Sequence, residues 1–359
     1  MVFSTLQAGG AEVTALELIR ALRGSGVAFV AASVKGGLAL ASALSSGGAV
    51  VCKRIARFNR DPLGLWRMRQ IIRRERIDAV VIVGVPRDGM FYGLVGAWAS
   101  GRAVRRIVWC KSSPTGQSRH FVPHLWAYAA AGLAQTIVCT SQAQRDALAA
   151  RGIAASRLTV IYNGVDVDGL ARAAPRPPAA PPGKRLIVQV ANVMPDKDPL
   201  TLLRAAGLLA GRRSDFHVVL AGRDTNGPAM ARAAREAGAD GVVSLNGHCS
   251  DVAGLLASAD VFVLSTRGEV FSVATLEAMA AGRPVIVSDI AAFDEMFTAG
   301  VEGLKVRPGD PAALADAIER VLDDAPLARA LGDAARMRAE RFSRRRMADE
   351  FLRLLAPAR

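Results

Sequence analysis

Two glutamates are the residues of this chain whose type and spacing best suit chemistry. Glu269 and Glu277 lie eight positions apart, with Ser272 between them. A short apolar run ends just before Glu269, and Ser272 can cap a helix that stops at Gly282. Free N–H groups at the start of such a helix suit a diphosphate or sugar hydroxyls, and carboxylates accept hydrogen bonds from hydroxyls. The segment therefore predicts a binding site for a ligand of this chemistry.

Several further segments accompany this one. They are Gly9-Gly10-Ala11-Glu12, Asn163-Gly164-Val165-Asp166, Val190–Asp198, Ser258–Leu264 and a closing helix around Phe342–Leu355. With the two spaced glutamates and the Glu-Ala-Met-Ala that begins at Glu277, the chain resembles glycosyltransferase family 4 over nearly its full length. The resemblance implies the GT-B fold and a retaining transfer of sugar from a nucleotide diphosphate sugar to a glycan, lipid-linked or other anionic acceptor. It suggests cell-envelope or exopolysaccharide synthesis.

The resemblance also implies roles for individual residues. Glu277 would hold the ribose hydroxyls, Glu269 would contact the donor sugar or its phosphates, and Lys197 would neutralise the diphosphate leaving group. Glu269 and Lys197 are therefore the implied catalytic residues. The implied donor-binding residues are Gly9, Gly10, Asn192, Lys197, Glu269, Val270, Phe271, Ser272 and Glu277. In that set the amides of residues 270–272 would bind sugar hydroxyls and the distal phosphate, and the two glycines would let the backbone approach the phosphates.

Three positions depart from the family pattern. Val270 stands where the family has glycine after the first glutamate, and Asn192 where it often has arginine. The stretch 109–116 lacks the usual histidine; His120 and His124 follow but do not align with that role. The missing histidine and Val270 favour one alternative, a non-catalytic homologue that serves as a binding or scaffold subunit. A second alternative is another enzyme of the same fold, a nucleotide-sugar epimerase, which would need no acceptor.

No cofactor or metal is expected from the sequence. The four cysteines are scattered without C-x-x-C spacing, which favours reduced thiols in a cytoplasmic protein. Asp166-Val167-Asp168 has the spacing of a metal motif but belongs to the Asn-Gly-Val-Asp segment. No run of apolar residues reaches the roughly 18–20 that a membrane span requires, and no secretory signal is expected.

The positive charge is concentrated in one half of the chain. Residues 1–180 contain 23 Lys and Arg against 9 Asp and Glu, whereas residues 181–359 contain 23 of each. A basic domain attracts anionic partners, here a phosphorylated acceptor or the inner face of a membrane. Nucleic acid is not expected, because no binding motif or stacking platform is present.

These residues need a scaffold, and the order of apolar segments predicts it. Short apolar runs alternate with amphipathic stretches, which indicates parallel sheets covered by helices. Residues 171–184 contain five prolines and are predicted to be a linker. The pattern thus predicts an α/β fold with two Rossmann-like doubly wound domains facing across a cleft, and the resemblance identifies this arrangement as GT-B. The resemblance further implies an acceptor-binding domain at 1–170, the linker, a nucleotide-sugar-binding domain at 185–340, and a helix at 341–359 that crosses back to the first domain.

Overall fold

The protein is described by a computed structural model that covers residues 1–6, 9–37, 39–58, 61–114, 120–175 and 181–356. The chain divides into two compact units. The first holds Met1–Gly164 and the segment from Arg344 onward, and the second holds Val165–Ser343. This division falls before the predicted boundary at 170 because Val165 pairs with the end of the second unit: its N–H donates to the carbonyl of Phe342 at 3.0 Å.

A seven-stranded parallel sheet forms the centre of the first unit, in the order β3-β2-β1-β4-β5-β6-β7. The strands are β1 Val2–Phe3, β2 Phe29–Ser33, β3 Ala49–Cys52, β4 Ala79–Val83, β5 Arg105–Trp109, β6 Thr136–Cys139 and β7 Leu158–Val160. Alternate residues of a strand face opposite sides of a sheet. Val80 and Ile82 of β4 accordingly lie in one apolar cluster, and Val81 and Val83 lie in the other.

Helices cover both faces of this sheet. They are α1 Gly10–Ala21, α2 Ala41–Ser46, α3 Pro62–Arg74, α4 Arg87–Met90, α5 Gly96–Ala99, α6 Val122–Ala130 and α7 Gln142–Ala149. A π-helical segment, Phe91–Val95, joins α4 to α5. Buried residues of α3, α5 and α6 share one cluster, whereas those of α1 and α2 belong to the cluster on the opposite face.

The second unit is built in the same way on a six-stranded parallel sheet, in the order β10-β9-β8-β11-β12-β13. Its strands are β8 Arg185–Val190, β9 Phe216–Ala221, β10 Val243–Leu245, β11 Val261–Leu264, β12 Val285–Ser288 and β13 Leu304–Val306. Its helices are α8 Val167–Ala171, α9 Pro199–Ala210, α10 Pro228–Glu236, α11 Val252–Ser258, α12 Val273–Ala280, α13 Pro311–Asp323 and α14 Ala325–Ala339. Helix α8 packs against α12 and α14, which explains why residues 165–170 belong to this unit.

The last helix, α15 Arg344–Leu355, returns to the first unit. It packs against α1, and the ring of Phe351 meets that of Trp109 edge to face with centroids 4.6 Å apart. Between the units, α8 ends at Ala171 and β8 begins at Arg185. Residues 176–180 of the predicted linker lie outside the described residues.

Candidate functional site

Two neighbouring loops of the second unit hold most of the predicted site residues. Strands β8 and β11 are adjacent and parallel, and the strand order reverses direction between them. The loops that follow them, residues 191–198 and 265–272, therefore leave the same edge of the sheet at its switch point. In doubly wound sheets, ligands bind outside the carboxyl ends of the strands at this point.

Hydrogen bonds join the two loops directly. The carbonyl of Asp196 accepts from the Arg267 N–H at 2.7 Å and from the Thr266 hydroxyl at 2.6 Å. The Asp198 carboxylate accepts from Arg267 Nε at 2.7 Å and from the Thr201 hydroxyl at 2.8 Å. These contacts hold Asp198 at φ +37°, a left-handed conformation that is uncommon outside glycine. No local sequence pattern indicates these contacts.

Lys197 and Glu269 are brought together by these loops. Lys197 ends a short 3₁₀ turn, and its Nζ forms an ion pair with Glu269 Oε2. The side chains are 22% and 14% exposed, so the pair is largely buried but still reachable from solvent. The other carboxylate oxygen of Glu269 accepts from the Val270 N–H at 3.0 Å. The two implied catalytic residues are thus in direct contact.

The start of α12 lies immediately beyond Glu269. Ser272 is the N-cap, as predicted from the sequence, and its hydroxyl accepts from the Thr275 N–H at 3.2 Å. The amides of the first turn of an α-helix have no partner within the helix, which is why such a start attracts anions. The Phe271 ring is 3% exposed and packs edge to face on Phe342 with centroids 5.2 Å apart, which anchors the loop beside the helix start.

Glu277 lies one turn further along α12. Within this helix the half-buried positions are Val273, Ala274 and Glu277, whereas the other five residues are buried. Positions separated by three or four residues share one helix face. Glu277 is therefore on the same accessible face as the first turn of α12.

Asn192 has a contact that sequence analysis did not predict. Its side-chain oxygen accepts from the Arg223 N–H at 2.9 Å and so ties the loop after β8 to the loop after β9. The backbones approach closely at this place, because a Cβ on Gly222 would lie 2.0 Å from the carbonyl oxygen of Ala191. Asn192 thereby stabilises the edge of the sheet from which the site loops emerge.

Gly9 and Gly10 belong to the first unit, at the start of α1. Gly9 is the N-cap in extended conformation, and a Cβ there would meet only the end of the Glu12 side chain. Among the described residues, which do not include 7 and 8, a Cβ on Gly10 would have no neighbour within 4 Å. In that part of the chain, neither a left-handed backbone nor close packing requires glycine at position 10.

Lys111, in the stretch that lacks a histidine, lies two residues beyond the carboxyl end of β5. Its Nζ hydrogen-bonds the side-chain oxygen of Asn163 and lies 3.7 Å from the centroid of the Trp109 ring. Burial lowers the pKa of Lys111 well below its ordinary value, and the charge of Glu12 opposes that shift. Residues 115 and 116 of this stretch lie outside the described residues.

The aspartate of the Asp166-Val167-Asp168 spacing has a structural role. Asp166 caps α8, since its carboxylate accepts from the Gly169 N–H at 3.2 Å. In the described ranges, no group of three or more His, Cys, Asp or Glu side chains is placed to hold a metal ion. No helix within those ranges is both long and apolar enough to cross a membrane.

Solved structures match this fold over the whole length of the chain. The Anabaena protein HepE in complex with UDP and glucose superposes with a TM-score of 0.86 over 99% of both chains, at 19% identity. WaaG, a glycosyltransferase involved in lipopolysaccharide biosynthesis, superposes with a TM-score of 0.77 over 100% of both chains, at 14% identity. The chain therefore has the GT-B fold, as the sequence predicted.

Sequence comparisons identify the family. Residues 8–169 match the model for Glycosyltransferase Family 4, and residues 184–324 match the model for group 1 glycosyl transferases. Together these segments take in most of the chain, which belongs to the family 4, group 1 glycosyltransferases.

Named relatives agree with this assignment. EpsD of Bacillus subtilis, named a glycosyltransferase, is 33% identical over 46% of this chain and 43% of its own length. The D-inositol 3-phosphate glycosyltransferase of Mycobacterium tuberculosis is 30% identical over 60% of this chain and 47% of its own length. The chain thus spans somewhat less than half the length of these curated relatives.

Proposed function

We propose that this chain is a retaining glycosyltransferase that moves a sugar from a nucleotide diphosphate sugar to an acceptor hydroxyl. The observation that carries the proposal is the contact between Lys197 and Glu269 beside the start of α12. A diphosphate needs a cation and backbone N–H donors, and a sugar needs carboxylate acceptors. All three kinds of group are present at one edge of the six-stranded sheet. The bound UDP and glucose of HepE support this choice of ligand. The retaining outcome rests on the family resemblance.

The chemical problem is the negative charge that develops on the departing diphosphate. In the free protein the charge of Lys197 is matched by Glu269. We infer that a bound diphosphate replaces the carboxylate as the partner of Lys197, which leaves Glu269 to accept hydrogen bonds from the donor sugar. The amides of residues 270–272 then bind the sugar hydroxyls and distal phosphate. Fixed donors of this kind stabilise a developing charge without having to reorganise during the reaction.

The other implied residues complete the donor site in this proposal. Glu277, on the accessible face of α12, accepts hydrogen bonds from the ribose hydroxyls. Gly9 and Gly10 allow the phosphates to approach the first loop, and none of the described residues lies within 4 Å of a Cβ built at Gly10. Asn192 contributes by holding the loop after β8 in place. No metal ion takes part in this scheme.

A thermal-shift screen with UDP-, GDP-, ADP- and dTDP-sugars tests the donor part of the proposal. A ligand that binds only the folded state raises Tm by an amount that grows with its concentration relative to Kd. One nucleotide series should stabilise the chain, and the free nucleotide of that series should do so as well. If the donor is instead converted to its epimer in the absence of any acceptor, the proposed transfer is wrong.

We also propose that the acceptor is an anionic or lipid-linked glycan of cell-envelope or exopolysaccharide synthesis, met at the inner membrane surface. Three of the four tryptophans support this: Trp66, Trp98 and Trp126 are 56%, 64% and 48% exposed. They lie on α3, α5 and α6, whose inner sides share one apolar cluster. Exposed tryptophan beside arginine suits the interfacial zone of an anionic bilayer.

A further inference from the structure

Lys197 lies on a segment with little secondary structure of its own. It ends a three-residue 3₁₀ turn, and Asp198, which follows it, precedes helix α9. On one side of Lys197, the carbonyl of Asp196 accepts from the Arg267 N–H at 2.7 Å. On the other side, the carbonyl of Asp198 accepts from the Ser265 hydroxyl at 3.0 Å. The direction of the Lys197 side chain therefore depends on the contacts that its two neighbours make.

The Asp198 carboxylate is not used as aspartates at this position usually are. An aspartate just before a helix normally accepts from a backbone N–H of the first turn. Five aspartates among the described residues do so, at the starts of α3, α8, α11, α13 and α14: Asp61, Asp166, Asp251, Asp310 and Asp324. Within that part of the chain, the Asp198 side chain makes no such bond to α9. Its carboxylate, 9% exposed, binds the Arg267 guanidinium and the Thr201 hydroxyl instead.

The backbone of Asp198 gives a second indication that its carboxylate is needed. Its φ of +37° and ψ of +55° are left-handed, a conformation that costs energy for any residue with a Cβ. Glycine adopts the same conformation without that cost. Aspartate at this position is therefore explained by its side-chain contacts and not by its backbone.

Arg267 is 60% exposed, yet its guanidinium is held in place. Its Nε donates to Asp198 Oδ2 at 2.7 Å. A Cβ on Gly309 would lie 2.9 Å from Nη2, so the group also rests against the loop after β13. Arg267 is two positions before Glu269 in the chain. Its main chain and side chain together thus connect both neighbours of Lys197 to the segment that carries Glu269.

Other groups anchor the beginning of this loop to the sheet. Gln189 Oε1 accepts from the Ser265 hydroxyl at 3.1 Å, and Ser288 Oγ accepts from the Thr266 N–H at 2.9 Å. Gln189 and Ser288 belong to β8 and β12, and each is 2% exposed. The loop is therefore attached to the sheet independently of Asp198, and the carboxylate acts mainly on the segment that carries Lys197.

We propose that Asp198 and Arg267 are positioning residues of the donor site, which hold Lys197 against Glu269 before any donor binds. This role rests on the proposed glycosyltransferase function. Neither residue touches the donor, and both act through Lys197. A cation whose direction is already fixed stabilises the charge on a departing diphosphate without reorganising during the reaction.

Chemical labelling of Lys197 tests the proposal without an enzymatic assay. The full chain is treated with limiting acetic anhydride, and acetylation is followed by peptide mass spectrometry, with the exposed Lys184 as internal reference. The wild-type Lys197 amine is 22% exposed and paired, so it should react slowly. Asp198→Gly removes the carboxylate but suits the left-handed backbone, and Arg267→Gln removes the cation. Each should speed labelling of Lys197 about threefold or more, the scale of a partly exposed ion pair.

Two further variants and a stability measurement control for structural effects. Arg185→Gln is the matched control: Arg185 is 48% exposed, pairs with Asp260 at 3.3 Å and lies at the opposite, amino end of β8. Its labelling should equal that of the wild type. Asp198→Asn tolerates the same backbone and can still accept from Arg267, so it should fall between the wild type and Asp198→Gly. Tm of Asp198→Gly should stay near that of the wild type or rise, because glycine relieves the backbone cost.

Transfer kinetics on the same samples give the second measurement. In Asp198→Gly and Arg267→Gln, kcat should fall about tenfold while the KM for the donor changes less, because the cation must first be oriented. The double variant should be no more impaired than either single one, because both remove the same contact.

Unchanged labelling of Lys197 in both variants would overturn the proposal, and so would unaltered kcat in variants that label faster. Additive losses in the double variant would contradict a joint role. Absence of transfer by the wild type with every donor would overturn the proposed function alone, because labelling still reports whether Asp198 and Arg267 hold Lys197.

Discussion

Lys197 Nζ is paired with Glu269 Oε2 across two loops that are 72 positions apart in the chain. The pair lies beside the N-cap of α12, so a cation, a carboxylate and a helix start lie at one edge of the second sheet. This relationship makes the donor-site proposal testable one group at a time, because each member can be changed without removing the others.

Replacement of Lys197 should slow the chemical step of the transfer. We expect Lys197→Ala to lower kcat for transfer by about 100-fold or more, since a preorganised charge that stabilises the leaving group is lost. Steady-state kinetics with the donor found in the thermal-shift screen measures this. Lys184→Ala is the matched control, because that lysine is exposed and donates to a backbone carbonyl, that of Ser214. Near-normal turnover in Lys197→Ala would contradict the assigned role.

Glu277 is expected to act through the nucleoside. Glu277→Gln keeps the size of the side chain but removes the charge, and hydrogen bonds to a charged acceptor are worth about 1.5–3 kcal/mol. Titration with the free nucleotide should therefore show affinity reduced about tenfold or more. Glu236→Gln on α10, where the glutamate is exposed beside Arg232, should leave affinity unchanged. Equal affinities in both variants would remove Glu277 from the site.

The cap of α12 should have both a structural and a functional effect. Ser272→Ala is expected to cost about 1 kcal/mol of unfolding free energy, because the Thr275 N–H loses its acceptor. Asp310→Ala removes an equivalent cap on α13, where the carboxylate accepts from the Ala313 N–H at 3.0 Å. Denaturant unfolding should show similar losses for the two variants. Only Ser272→Ala should also weaken donor binding; equal donor affinities would place Ser272 outside the site.

Stability should decrease in mild acid because of His217. Burial lowers the pKa of this histidine below its ordinary value of 6.5, and the charge of Lys184 lowers it further. The unfolded chain therefore takes up the proton first, so the contribution is complete above about pH 6.5 and is lost as the pH falls towards the folded-state pKa.

This loss can be measured as Tm at pH 7.5 and pH 5.5, values about one unit either side of an ordinary histidine pKa. Wild-type Tm should be lower at the acidic pH. His217→Gln can keep the hydrogen bond to Ser244 that the ring makes at 2.8 Å, but it does not titrate, so its decrease should be smaller. Identical pH profiles would show that His217 does not govern the effect.

The exposed tryptophans should govern membrane binding. Trp66→Ala combined with Trp98→Ala is expected to reduce co-sedimentation with anionic vesicles at low salt, because interfacial aromatic surface is lost. Met337→Ala is a suitable control, since Met337 is 76% exposed and belongs to the second unit. If the wild type does not sediment with anionic vesicles, or if the control loses as much binding as the double variant, the membrane surface proposed here is wrong.

Much of the scaffold was accessible from local sequence patterns. Apolar runs such as Leu186–Ala191 and Val261–Leu264 predict buried parallel strands, and the six-stranded sheet has strands at Arg185–Val190 and Val261–Leu264. Two strands were not predicted, β3 and β13, and both lie at the edge of their sheets: Val50 of β3 is 52% exposed, and Leu304–Val306 has only three residues. Lys305 at the centre of β13 interrupts its apolar run, so this strand leaves little sequence signal.

The candidate site also has one part that the sequence indicates and another that only the tertiary structure decides. The glutamate spacing, the cap at Ser272 and the glycines at the first loop are local features, so the sequence alone could indicate them. Packing of loops that are distant in the chain decided the ion pair of Lys197, the tie made by Asn192 and the surroundings of Lys111, because only the sheet order brings these loops together. Contacts between residues far apart in the chain are decided by packing and topology, which no local pattern encodes.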